Sequence, residues 1–264
     1  MKTLKKELDL FMFMGQSNMA GRGITSTMHP EAAPTILEGA GYEYRTISEP
    51  AKLSCIVEPF GVKENNADGI DDGNLKTGSM VTSFVNAYYT ETRIPVVGVS
   101  ASKGGSSIEE WQPGTKYLND AISRLTSCVS FLETQGYAIR HKYMLWCQGE
   151  TDGDHSTDAC TYKTKFEAML SAMLDVGIEK CFMVRIGNCN MEDEYDRYKE
   201  IISIETKIAQ TNKNVVMVST DFTEMRERGL MKDAFHYYQS AYNETGTCAG
   251  SNTAAYVNKE KNYE

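Results

Sequence analysis

The sequence predicts an α/β protein, a three-layer α/β/α sandwich around a mostly parallel sheet. Two observations carry this expectation. Short apolar runs rich in β-branched and aromatic residues recur along the chain, and between them lie longer stretches whose apolar residues return at helical intervals. Right-handed crossovers then carry each helix back over the sheet, so both faces become covered. A length of 264 residues is near the upper limit for one core, so residues 1–264 are expected to form a single domain with a polar tail from about Cys248.

Strands are expected at Leu8–Met14, Leu53–Val57, Pro95–Ser100, Lys142–Cys147, Cys181–Ile186 and Asn214–Val218. Helices are expected at Ser79–Thr90, Leu118–Glu133, Cys160–Leu174 and Glu194–Ala209, with a last helix opening near Gln239 and Tyr242. In the third of these, Phe166, Met169, Leu170 and Met173 fall on one face. Gly21–Lys52 and Glu58–Asn74 read as long loops, the kind that shape binding sites.

Composition narrows the function. Lys and Arg number 27 against 36 Asp and Glu, a net charge of −9 that repels nucleic acid and suits a neutral substrate. No run reaches the roughly 18 apolar residues of a membrane span, so no membrane partner is expected. Lys2, Lys5 and Lys6 precede an apolar run as in a secretory leader, but that run passes into Gly15-Gln16-Ser17-Asn18 with no cleavage-type spacer. The cytoplasm is therefore favoured, with secretion open if a leader precedes this numbering. The 7 cysteines are odd in number and include no CxxC pair, so they read as small buried residues rather than disulfides or zinc ligands. Asp152, Asp154 and His155 lack ligand spacing, and neither a metal nor another cofactor is expected.

In an open parallel sheet, ligands bind beyond the carboxyl ends of the strands. Four segments lie there. The first is Gly15 to Gly23, where Ser17 sits at a strand-to-helix turn, either as a plain N-cap or as a nucleophile beside free N–H groups. It matches neither phosphate-loop spacing nor the GxSxG elbow, since Met19 stands two residues after Ser17. The second is Ser102 to Trp111, where Gly104-Gly105 forms an ordinary turn or brings an amide N–H close to a ligand. The third is Trp146 to Asp152, with Gln148 as a side-chain donor to an oxyanion. The fourth is Asp233 to Tyr238, where the Asp233 carboxylate is spaced to orient the His236 ring.

Together, Gly15-Gln16-Ser17-Asn18, Gly104-Gly105-Ser106-Ser107-Ile108 with Trp111, Gln148-Gly149-Glu150-Thr151-Asp152, and Asp233 with His236 resemble the SGNH (GDSL-type) hydrolase superfamily. Within it they are similar to carbohydrate esterase family 6, the acetylxylan-esterase-related branch, and to sialate O-acetylesterases. The resemblance implies a flavodoxin-like sheet (the SGNH hydrolase fold) and a serine esterase that hydrolyses acetyl esters on small-molecule or oligosaccharide carbohydrates, without a cofactor. It implies catalytic Ser17, His236 and Asp233, and an oxyanion hole of the Ser17 and Gly105 N–H groups with the Gln148 side chain. Gln16, Asn18, Gly104, Glu150 and Trp111 are then expected to bind substrate, with Tyr237 and Tyr238 as further sugar-stacking candidates. Two alternatives stay open: a lipase- or thioesterase-like relative with an apolar acyl pocket, and a catalytically silent carbohydrate-binding homologue.

Overall fold

The computed structural model describes residues 6–260. The first strand, β1 (Glu7–Gly15), runs into a one-turn helix, α1 (Ser17–Ala20). Two short strands follow, β2 (Gly41–Tyr44) and β3 (Leu53–Cys55), then α2 (Val81–Thr92), β4 (Val96–Ser102) and α3 (Lys116–Thr134). The second half contains β5 (Ala138–Cys147), α4 (Glu150–Asp154), α5 (Ala159–Asp175), β6 (Lys180–Val184), α6 (Lys199–Thr211), β7 (Val215–Ser219) and α7 (Gln239–Glu260).

These strands form one seven-stranded sheet in the order β3-β2-β4-β1-β5-β6-β7, parallel except for the β2–β3 pair. Side chains of β1 alternate between the two faces, as the period of a strand requires. Leu8, Leu10, Met12 and Met14 pack with α3, α5 and α6, while Phe11 and Phe13 pack with α2 and α7. The expected three-layer α/β/α arrangement is therefore present. No helix among the described residues is long and apolar enough to cross a membrane.

Two expectations need correction. The loop Gly21–Lys52 contains a strand, β2, whose buried Glu43 hides the apolar pattern; its carboxylate accepts from Arg45 Nε at 2.8 Å and from the Gly61 N–H at 3.0 Å. The described residues after Cys248, 249–260, are the second half of α7 and not a tail. Its Ala249, Ala254 and Val257 are buried against the sheet face that α2 also covers, and Gly246 and Gly250 bring it close to the α2 backbone: a Cβ on either would lie 2.4 or 2.3 Å from a carbonyl oxygen of Met80 or Phe84. A close helix–helix approach uses small residues, so the contact surface carries little hydropathy to read from sequence.

Strand order reverses at β1, with β2, β3 and β4 on one side and β5, β6 and β7 on the other. The carboxyl end of β1 is thus the switch point, the place where open parallel sheets bind their ligands.

Candidate active site

Ser17 follows β1 at that switch point. Gly15 ends the strand at φ +138°, and a Cβ there would lie 2.0 Å from the Cys147 carbonyl oxygen of β5, so only glycine permits this approach. The Gln16 N–H then donates to the same carbonyl at 3.0 Å, and the chain turns sharply into α1. Ser17 is the first residue of that helix and is 5% exposed.

Its Oγ lies 2.9 Å from His236 Nε2, across 219 positions of sequence. His236 Nδ1 lies 2.9 Å from Asp233 Oδ2. Because an ionised carboxylate only accepts, the Nδ1 proton points to Asp233 and Nε2 is left to accept from the serine hydroxyl. The other oxygen, Asp233 Oδ1, accepts from the N–H groups of Phe235 at 3.0 Å and His236 at 2.7 Å, so one carboxylate shapes its own turn and holds the ring. Burial works against the charge on Asp233, but the bonds from the His236 ring and these two N–H groups outweigh it. They hold the carboxyl well below its usual range.

The second loop turns at Gly105, φ +72°, with open space around the Cβ position. The N–H groups of Ser17 and Gly105 have no acceptor among the described residues. Beneath the loop, the Arg22 guanidinium is paired with Asp72 at 2.7 Å, and a Cβ on Gly104 would lie 2.3 Å from Arg22 Nη2. Lys103 Nζ reaches the Gly104 carbonyl at 3.0 Å and Asp72 Oδ1 at 3.8 Å. The sequence reading missed this clamp, because Arg22 and Asp72 lie in different loops and nothing in the chain marks them as a pair.

Several expected site residues have other work. Gln148 is fully buried, and its Nε2 faces Asp152 Oδ2, the Ser106 carbonyl at 3.0 Å and Gln16 Oε1 at 3.3 Å. An amide has two N–H bonds, so none is left for an oxyanion in this arrangement. Gln16 turns inward and accepts from the N–H groups of Gly149 at 3.1 Å and Thr151 at 3.3 Å. Trp111 is fully buried, donates to Ser106 Oγ at 2.9 Å, and packs edge-on against Trp146. Tyr237 is likewise buried, stacked on Phe222 at 4.2 Å. Only Tyr238 of the aromatic candidates is partly open, its ring 4.3 Å from that of His29.

Asn18 and Glu150 are also buried and bonded to each other. Burial raises the Glu150 carboxyl to about 7, against the lowering effect of the Asn18 bond. Asp152 braces the third loop, accepting from the Ile108 N–H at 2.8 Å and Thr157 Oγ1 at 3.1 Å. Among the described residues no group of three or more His, Cys, Asp or Glu side chains could hold a metal ion.

This constellation sits in a chain that matches, over residues 7–254, the model of a family described as carbohydrate esterase, sialic acid-specific acetylesterase. The protein belongs to that family. As a carbohydrate esterase it is a carboxylic ester hydrolase of the acetylesterase type. It is 27% identical over 210 residues to the probable carbohydrate esterase At4g34215 of Arabidopsis thaliana, a match that covers 72% of this chain and 73% of the relative. The X-ray structure of that Arabidopsis protein superposes with a TM-score of 0.68 at 21% identity, covering 96% of this esterase and 98% of its counterpart. NanS superposes at 0.61 with 14% identity over 97% and 99% of the two chains. XAC1771, a carbohydrate acetylesterase from Xanthomonas citri, superposes at 0.57 with 15% identity, covering 94% of this esterase and 57% of the longer protein. At these identities the structures share the esterase's fold.

Proposed function

We propose that the protein removes O-acetyl groups from carbohydrates through an acetyl-Ser17 intermediate. The observation that carries this reading is the unbroken series Ser17 Oγ, His236, Asp233, with both contacts at 2.9 Å. His236 Nε2 takes the serine proton as Oγ attacks the acetyl carbonyl, and returns it to the departing sugar hydroxyl. Water then enters by the same route, hydrolyses the acetyl-serine and releases acetate. Asp233 keeps Nδ1 protonated and stabilises the imidazolium that forms in each half-reaction. The unoccupied N–H groups of Ser17 and Gly105 are the donors offered to the developing oxyanion.

The test compares wild type with Ser17→Ala for acetate release from p-nitrophenyl acetate, acetylated xylo-oligosaccharide and O-acetylated sialic acid. Wild type is expected to release acetate and the variant to release none. The ratio of kcat/KM on the two sugars identifies the preferred class. Folded wild type that releases no acetate from any of the three would overturn the proposal.

A further inference from the structure

Asn18, the residue after Ser17, is fully buried and joins three distant parts of the chain. Its Nδ2 donates to Glu150 Oε1 on α4 and to the Phe235 carbonyl at 3.0 Å, and its Oδ1 accepts from the Tyr242 hydroxyl on α7 at 2.6 Å. The Phe235 carbonyl belongs to the peptide that enters His236. A single amide therefore ties the helix bearing Ser17 to the loop bearing His236.

Glu150 and Tyr242 decide which way that amide faces. A carboxylate on one side only accepts and so takes the NH₂ group, which leaves the amide carbonyl to accept from the Tyr242 hydroxyl on the other. With one N–H on Glu150, the second is aimed at Phe235. Glu150 is 2% exposed and its second oxygen, Oε2, has no hydrogen-bond partner, so Asn18 is the side chain that holds its carboxyl. The far side of the His236 loop is tied to another segment, through the Asn190 N–H to the Ala234 carbonyl at 2.8 Å. That tie fixes the loop to the scaffold, whereas Asn18 fixes it to the serine.

We propose that Asn18 is a positioning residue for acyl transfer: oriented by Glu150 and Tyr242, it grips the Phe235 carbonyl and so keeps His236 within hydrogen-bonding distance of Ser17. The inference rests on the roles given above to Ser17 and His236. It differs from a packing role in a way that two variants separate. Asn18→Ala removes every contact. The double variant Asn18→Asp/Glu150→Gln exchanges amide and carboxylate, so the buried pair and the Tyr242 bond are rebuilt, but no N–H faces the Phe235 carbonyl.

The experiment measures kcat and KM on p-nitrophenyl acetate, the thermal midpoint, and the rate at which a fluorophosphonate labels Ser17. Asn18→Ala is expected to lose about 100-fold in kcat, the scale of a small misplacement of reacting groups, with the labelling rate falling in step and KM nearly unchanged. The exchanged double variant is expected to regain the thermal midpoint while kcat and labelling stay low. If kcat returns together with the midpoint, Asn18 acts by packing and the proposal is overturned. Wild-type kcat in Asn18→Ala overturns it as well. Should Asn18→Ala not fold, the double variant alone decides. Wild type that neither releases acetate nor takes the label overturns the esterase reading and this inference with it; active wild type, silent Ser17→Ala and unaffected Asn18 variants overturn this inference alone.

Discussion

Gln16, Ser17 and Asn18 on the nucleophile turn are each at most 5% exposed, whereas Asp233 on the base loop leaves 43% of its side chain in solvent. The turn is held from outside itself, by β5, α4, α7 and the base loop. The base loop makes its own geometry, with Asp233 bonded to the backbone two and three residues on. One half of the site is thus imposed by tertiary packing and the other is written locally, so substitutions in the two halves should fail differently. Reshaping the backbone of the turn should appear as lost stability, and damage to the carboxylate of the loop as lost rate.

Apart from removal of the nucleophile itself, the largest effect is expected at the loop. Asp233→Asn keeps an oxygen for the two N–H groups but presents the wrong partner to Nδ1, so kcat should fall by about 10,000-fold while the thermal midpoint barely moves. Near-wild-type kcat would assign the orienting role to another group. The wild-type carboxyl, held below its usual range, keeps its contribution above the unfolded value and loses it only as pH falls through the depressed folded value.

Gly15→Ala tests the turn. A Cβ cannot occupy a point 2.0 Å from the Cys147 carbonyl oxygen at φ +138°, so urea denaturation should show a loss of about 3 kcal/mol or more. A small loss would mean that the strand end is more adaptable than its packing implies.

Glu150→Gln sharpens the comparison through pH. The Glu150 carboxyl is raised to about 7 from an ordinary value of 4.5, so its contribution to stability is complete below about 4.5 and is lost as pH rises through about 7. The neutral glutamine has no such loss. The thermal midpoint of the variant relative to wild type should therefore rise across that window, and a flat difference would remove the buried charge from the account. The smallest effect is expected on the rim, where Tyr238→Ala gives up a half-open contact with His29 and should change stability by no more than about 0.5 kcal/mol.

How much of this was legible in the sequence follows the same division. Asp233 and His236 are three residues apart, and a carboxylate at that spacing bonds the following N–H groups and ring, so their pairing was readable as a local motif. Gln148 and Trp111 were legible as members of motifs but not in orientation, because the pattern gives their position after a strand and not the direction of the side chain. Packing decided that direction: Asp152 and Ser106 draw the Gln148 amide inward, and Tyr117 and Trp146 enclose the Trp111 ring. Arg22 with Asp72, and Asn18 with Tyr242, are separated by loops and helices and left no periodic trace.

By itself, the sequence determined the alternation of apolar runs and amphipathic helices, the acidic charge balance, and the set of polar residues after each strand. Those features depend on local periodicity and composition, which act over a few neighbouring positions. Only the tertiary structure decided that β2 enters the sheet on a buried Glu43, that residues 249–260 close one layer as a helix, and which polar side chains turn inward. These depend on contacts between separate elements of the chain, as when Arg22 meets Asp72 or Ser17 meets His236. The free energy of such contacts belongs to the pair, and neither residue's neighbourhood in the chain contains it.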